Sequence, residues 1–231
     1  MSYTYSSYKT QLANLMAVSE TDPSFVTWLP GCIDYAEQRI YRELDLIYTT
    51  QRVASSNLTP NSRAYTLPNP STEQRFFVVQ SINIITPAGA TTSNGTRNVL
   101  VPVSQKLIDF LYPTDVSSTS PSIPVIYAMV TDQTIRVGPP PDAGYLVEIV
   151  GTYRPTPLSV TNTTTFLSSY LPDLFMAASM VYGSGFMRNF GAQGDDPKMS
   201  TSWEGQYQIL LASANSEETR RRFNATFGDK Q

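Results

Sequence analysis

Nineteen carboxylates, sixteen lysines and arginines, one cysteine and no histidine are what this chain offers for chemistry. Without histidine there is no Ser-His-Asp or Cys-His nucleophile pair, no His-ligated metal site and no two-His zinc helix. No GxSxG, GxxxxGK, CxxC or EF-hand loop occurs either. What is left is carboxylate chemistry, in which two acids flanking a glycosidic bond hydrolyse it. Asp195 with Asp196, or Asp142 with Glu148, are the pairs that could be asked to do so. Adjacent acids in a Gly-rich stretch such as GAQGDD are ordinarily a solvated turn, so no catalytic residue is assigned. Gly-Ser-Gly at 183–185 lies inside a helical pattern rather than between a strand and a helix, which makes it a packing feature and not a phosphate loop. No cofactor and no metal is expected.

Two further reactive types stand out. Cys32 sits on an apolar helical stripe with no His or Lys beside it, the pattern of a small buried hydrophobe rather than a reactive thiol. As the single cysteine it cannot form an internal disulfide, which fits a reducing compartment. Near the end of the chain Arg220, Arg221 and Arg222 are adjacent and flanked by Phe223 and Phe227. Three guanidinium groups with two aromatics would anchor in an acidic, apolar-lined groove on a partner and fold on docking. The plain alternative is a solvated, fraying tail. Nucleic-acid binding is a third, weakened by the neighbouring Glu217 and Glu218. Ordering such a tail costs about 1–2 kcal/mol per residue in backbone entropy, which two phenylalanines do not offset, so residues 217–231 are expected to be flexible in the free subunit.

The elements that would position these residues follow from periodicity. From Pro23 to Ile47 large apolar residues recur at three- and four-residue steps, Phe25, Trp28, Leu29, Cys32, Ile33, Ala36, Ile40, Leu44 and Ile47, the stripe of a helix lying on a core. Asp22 caps it and Pro23 opens it; Pro30 either restarts or kinks it, and the favoured division is a short turn at 24–28 followed by a helix over 30–47. Its outer face alternates in sign, with Arg39 and Glu43 four apart. Ahead of it, Ser6 or Ser7 can cap a helix carrying Tyr8, Leu12, Leu15 and Met16 and ending near Val18. Helical period returns after Thr161: Pro172 and Asp173 start a helix through Leu174, Phe175, Ala178, Val181, Tyr182, Phe186 and Met187, and Pro197 opens a last one with Met199, Trp203, Tyr207, Leu210 and Leu211 on one side. Four helices, two before and two after an insertion, can close into one bundle, with Phe25, Trp28, Ile33, Ile40, Leu44, Phe175 and Trp203 in its core.

Between them the period drops to two. Strands are expected at 48–54, 63–67, 75–85, 97–102, 124–130, 133–138 and 145–153, with turns at Pro60-Asn61, Asn69-Pro70, Asn94-Gly95 and Pro139 to Gly144. Along the last strand Tyr145, Val147, Ile149 and Tyr153 share the drier face, while Leu146, Glu148, Val150 and Thr152 share the other. Ser104 can cap a helical turn or two with Leu107, Ile108 and Leu111 facing inward, and Pro113 to Pro124 reads as a polar surface loop. The fold class is therefore α+β, a four-helix bundle with an inserted antiparallel β-sandwich or small barrel. Its parts are 1–47 and 160–216 for the two halves of the bundle, 48–159 for the β-domain and 217–231 for the tail.

Composition limits the partners. A chain of 231 residues buries enough surface for a proper core without staples. Only 15% of its residues are charged, and its polarity comes from Ser, Thr and Asn. Weakly charged, Tyr-rich surfaces are what interfaces look like, a trait that Ser/Thr-rich β-proteins share. A net charge of -3 argues against broad affinity for nucleic acid. The start MSYTYSSYKTQ lacks the basic and apolar runs of a signal peptide, and no stretch approaches the ~20 apolar residues of a membrane span. Sequons at Asn57, Asn94, Asn162 and Asn224 are then chance matches or exposed loops.

Two segments carry a resemblance. The start DPSF, a proline one turn later and then AEQRIYREL resemble the second helix of the head-to-tail adaptor proteins of tailed bacteriophages. PVIYAMVTDQTIRVGPPPDAGYLVEIVGTYRPTPLS is similar to the same family's final β-hairpin, in which one strand ends in Gly-Pro-x-Pro-Asp and the next in Tyr-Arg-Pro. Order and spacing match, so the similarity covers most of the chain and extends to short-tailed phage adaptors of the tail tubular protein A type. It implies a structural virion protein and not an enzyme: a ring of twelve copies joining the portal protein to a downstream tail or nozzle protein. DNA would pass through its channel at ejection without sequence-specific binding, the C-terminal segment would reach into the portal, and assembly would take place in the host cytoplasm, away from any membrane. The competing class is a carbohydrate-binding β-sandwich of a tail or surface protein, with exposed aromatics on the β-domain; a glycosidase comes after both.

Overall fold

The structure, a computed structural model, describes residues 2–69, 75–114, 121–188 and 197–227, the side chains of 185–188, 197–201 and 226–227 excepted. Among them are six α-helices and two four-stranded sheets, a mixed α+β chain. It divides into two compact units, Met1–Thr49 with Pro155–Gln231, and Thr50–Arg154.

In the helical unit, α1 (Tyr5–Leu15) is capped by Thr4 in a reciprocal box: the Ser7 N–H donates to Thr4 Oγ1 at 3.3 Å and the Thr4 N–H to Ser7 Oγ at 2.9 Å. The cap lies ahead of the expected Ser6 or Ser7, because Ser7 serves as the third residue of that box. Helix α2 (Pro23–Glu43) begins where Asp22 Oδ1 accepts the N–H groups of Ser24 (2.8 Å) and Phe25 (3.1 Å). It runs unbroken through Pro30 instead of restarting there. A proline two turns from the start deletes one backbone bond, while Phe25, Leu29 and Ile33 on both sides of it are buried in the same core. The helix stops at Glu43, short of the expected 47. Leu44 is extended, and burial then alternates, Leu44 and Leu46 in and Asp45 out, before a 3-10 turn at Ile47–Thr49.

The chain returns to this unit through α4 (Phe166–Tyr170), α5 (Pro172–Arg188) and α6 (Pro197–Phe227). Five helices are therefore described here where the sequence reads four; α4 is a five-residue piece capped by Thr165 and Ser168. Helix α5 packs against α1, α2, α4 and α6, and its residues Leu174 to Met180 are buried without a break. This stretch of the central helix is thus buried all round, while Tyr182 beyond it is 40% exposed. Tyr8 stacks on Phe175 with ring centroids 4.5 Å apart, and its hydroxyl meets Ser179 Oγ at 2.5 Å. Ile33, Ile40, Leu44 and Phe25 are buried in this core, and Trp28 and Trp203 are partly buried against it.

The β-unit holds one sheet in the order β1-β8-β3-β4 and another in the order β2-β7-β6-β5. The strands are β1 (Thr50–Asn57), β2 (Ala64–Thr66), β3 (Phe76–Thr86), β4 (Thr96–Val99), β5 (Val101–Pro102), β6 (Ile126–Met129), β7 (Thr134–Gly138) and β8 (Leu146–Tyr153). The expected strand 97–102 is two strands: buried Leu100 marks the point where the chain leaves one sheet for the other. Pairing is antiparallel except between β5 and β6, which run parallel and so depart from an all-antiparallel insertion. Ile82, Ile84, Val147 and Ile149 from one sheet and Tyr65, Tyr127, Ile135 and Val137 from the other share a single buried cluster.

Candidate interaction surfaces

Helix α6 is fastened along its length to α2 and the segment after it. Arg39 on α2 donates to Glu204 through both terminal nitrogens, at 2.8 and 2.6 Å, and its guanidinium lies 4.1 Å from the Tyr207 ring centroid. The Tyr207 hydroxyl donates to Glu43 at 2.8 Å. Burial, together with the Glu43 carboxylate, raises that phenol well above its ordinary value. One turn past buried Ala214, Glu218 is 4% exposed; it accepts the Ile47 N–H at 3.2 Å and pairs with Arg221. One further turn on, Arg222 Nη2 reaches the Asp45 carbonyl and the Asp45 carboxylate, each at 2.7 Å.

The C-terminal segment is therefore helical through Phe227 and docked on its own subunit, which corrects the expectation of a flexible tail from 217 onward. The reason is physical: Glu204, Tyr207, Ala214, Glu218 and Arg222 form one helical face, on which buried Tyr207 and Ala214 join the core and Glu204, Glu218 and Arg222 add polar bonds beyond the apolar stretch. Arg221 also stands 5.7 Å from the Phe166 ring centroid, in an aromatic row where Phe166 stacks on Tyr48 at 4.6 Å. Of the five proposed docking residues, Arg221 and Arg222 thus hold the fold. Arg220 bonds within its own helix, to the Ser216 carbonyl, and Phe223 is 63% exposed. The side chain of Phe227 lies outside the described residues.

The β-unit presents apolar surface of its own. On α3 (Gln105–Leu111), capped by Ser104, Ile108 faces the core, but Leu107 and Leu111 are half exposed, against expectation, and Phe110 is 82% exposed. The helix is held from below by buried Arg63, which donates to the carbonyls of Ile108 and Tyr112 and to Asp109 Oδ1; Arg136 pairs with the same carboxylate at 3.0 Å. A guanidinium at the C-terminal carbonyls of a helix favours it electrostatically.

The acids considered for catalysis are committed to structure. Asp142 Oδ1 accepts the Tyr145 hydroxyl at 2.8 Å. Glu148, expected on the wetter face of its strand, is fully buried: Arg97 of β4 donates at 3.0 and 3.2 Å, Asn83 of β3 at 3.0 Å, and Arg52 of β1 stands 3.5 Å away. Burial works to raise this carboxyl, but the Arg97 and Asn83 bonds and the two arginine charges hold it below its ordinary value. One side chain so ties all four strands of its sheet. The sequence signal that could have found it was an acid at mid-strand with arginines on two other strands. Asp195 and Asp196 lie outside the described residues. Cys32 is buried, its thiol pushed up to about 12 by that burial, and its Sγ–H points to the Ser179 carbonyl at 3.5 Å. No described helix is long and apolar enough to cross a membrane.

Residues 3–228 match the family model described as SU10 adaptor protein. No curated protein matches the chain.

Proposed function

This chain belongs to the SU10 adaptor protein family, a structural family of phage head-to-tail adaptors, and from that membership we propose that it forms the ring between portal and tail. The match over residues 3–228 carries the proposal, since it takes in nearly all of both compact units. Each copy contributes its helices side by side to the ring, twelve copies by the family resemblance, and offers the β-unit to the next tail or nozzle component. The two sheets with their shared core act as the two layers of a sandwich. DNA slides through the channel at ejection without being read. A ring of this kind needs heterologous contacts whose rotation closes, and the exposed apolar residues of both units supply material for them.

The end of α6 is the portal-facing element, with Arg220 and Phe223 as its contact residues. Arg221 and Arg222 hold the helix in place for them. The test is direct: the chain is mixed with portal rings of the same phage and imaged by electron microscopy. A ring of the chain capping the portal is expected, and it should be lost in an Arg220→Glu, Phe223→Ser variant whose melting is unchanged. A chain that ignores portals but is retained on a glycan column would overturn the proposal in favour of a carbohydrate-binding module.

A further inference from the structure

Four strands form the edges of the two sheets, and most carry a device that discourages pairing with another chain. Strand β5 is two residues long and ends in Pro102, β2 has three residues, and β4 has four with Arg97 among them. Short length, proline and charge are the usual guards of an edge. Strand β3 is different. It has eleven residues without a charge or a proline, and β4 runs beside it only from Asn83 to Thr86. Along Phe76–Ser81 its hydrogen-bonded neighbour among the described residues is β8, on one side. Here the register slips against β8, between Phe76 and Val78 and again between Val79 and Ser81. A bulge re-aims side chains, and the consecutive Phe77 and Val78 are both exposed, at 60% and 58%. The result is a half-edge without a charged residue of its own, with Arg154 lying 4.0 Å from the Phe77 ring centroid, along which β4 does not pair.

The opposite end of the same sheet has a match. Strand β1 is eight residues long and paired to β8 on one side. Its one charge, Arg52, is paired with the buried Glu148 at 3.5 Å while its side chain stays 56% exposed, so this edge carries a single charge along eight residues. Each copy therefore carries two long, weakly guarded edges at the two ends of one sheet, which is the condition for head-to-tail pairing. Because β1 and β3 are both antiparallel to β8, they run parallel to each other. A neighbour related by rotation about a ring axis keeps nearly the same strand direction, so its β1 arrives parallel to β3.

We propose that Phe76–Ser81 of β3 is covered in the assembled ring by β1 of a second copy, laid parallel beside it by strand addition. Main-chain bonds supply the attachment, and Phe77 and Val78 supply the apolar contact. The contact is heterologous, so repeated around a closed ring it leaves neither edge open. The proposal rests on the ring reading above.

The experiment uses the full chain on portal rings, with two readouts. Val78→Cys is combined in turn with Thr50→Cys, Ala54→Cys and Asn57→Cys to span the register, and the mixture is oxidised; native Cys32 is buried and stays out of the reaction. At least one combination is expected to give a ladder of dimers, trimers and higher species on a denaturing gel. Val78→Lys, at an exposed position, is expected to leave melting unchanged and raise the concentration needed for ring formation at least about tenfold, the effect of ~1.4 kcal/mol per contact. Rings that form without any ladder, or that tolerate Val78→Lys, overturn the strand pairing and leave the ring standing. A dimer formed by Val78→Cys alone overturns it in favour of β3 pairing with β3. Absence of rings with the native chain overturns both.

Discussion

Glu37 is a carboxyl that α2 carries into the helical core, where it is 2% exposed and accepts the Leu158 N–H at 3.1 Å. Burial pushes it up to about 8; the Leu158 bond pulls the other way, and the charge of Asp34 adds to the rise. A carboxyl raised in the folded state and ordinary in the unfolded one keeps its proton only when folded. Stability is therefore lost as pH climbs from about 4.5 to about 8, and is level above that. With these two values the cost is about 1 kcal/mol at pH 5 and about 3 kcal/mol at pH 7. Glu37→Gln removes the titration while its amide carbonyl still accepts the Leu158 N–H, at the same side-chain volume. The variant should gain on the native chain by ~2 kcal/mol between pH 5 and pH 7, about 4–8 °C in melting temperature at 2–4 °C per kcal/mol. Both tryptophans, Trp28 and Trp203, lie in the helical unit, so the loss of their native fluorescence reports this unit alone. A difference between the two melting temperatures that stays the same from pH 5 to pH 8 would refute the reasoning, because Glu37 would then be ionised in the native state.

Ile40 has no exposed surface, and Ile40→Asp should unfold the helical unit, since a lone carboxylate there costs more than about 4 kcal/mol; a soluble variant with native tryptophan fluorescence and unchanged melting would show that residue 40 is outside the core. Gly31 lies in α2 with open space where a Cβ would project. Gly31→Ala should therefore stabilise the unit by about 0.5–1 kcal/mol, read as a rise in melting temperature, and a fall would mean that the backbone bends at Pro30 more than a regular helix does.

What could be read from the sequence were the apolar periodicities and the chemistry of chain ends. Asp22-Pro23, Pro172 and Pro197 mark three helix starts because a cap or a proline at the first turn acts locally. The strand windows were legible for the same reason, Ser104 included as a cap. Three features were not. Helix α4 is too short for a period to register, and only its Thr165–Ser168 spacing betrays it. The division of residues 97–102 between two sheets is decided by tertiary pairing of Val101 with Ile126. Past Leu211 the docked face of α6 is Ala214, Glu218 and Arg222, and no hydropathy pattern distinguishes such a face from a solvated one, because its partners Asp45 and Ile47 are more than a hundred residues away.

In the ring proposed above, the same residues would let DNA pass without being held. Affinity for a duplex comes from cations that neutralise phosphates and release counterions, and it falls steeply as those cations are withdrawn. Arg39 is held by Glu204 and Glu43, Arg52 and Arg97 by Glu148, Arg63 and Arg136 by Asp109, Arg221 by Glu218 and Arg222 by Asp45. Arg154 lies 4.0 Å from the Phe77 ring centroid. A phosphate would have to displace a carboxylate at each of the paired sites, in a chain whose net charge is already -3. Beside exposed cations such as Arg42, Lys106 and Arg220, the surface offers apolar groups: Phe77 and Val78 on β3, Phe110 on α3 and Phe223 on α6. Such groups hold protein neighbours whose own surfaces are dry and complementary, and they have little to offer a hydrated polyanion in transit. In the ring proposed above, seven arginines tied to carboxylates of their own subunit and apolar groups at the surface would together favour adhesion to protein over adhesion to DNA.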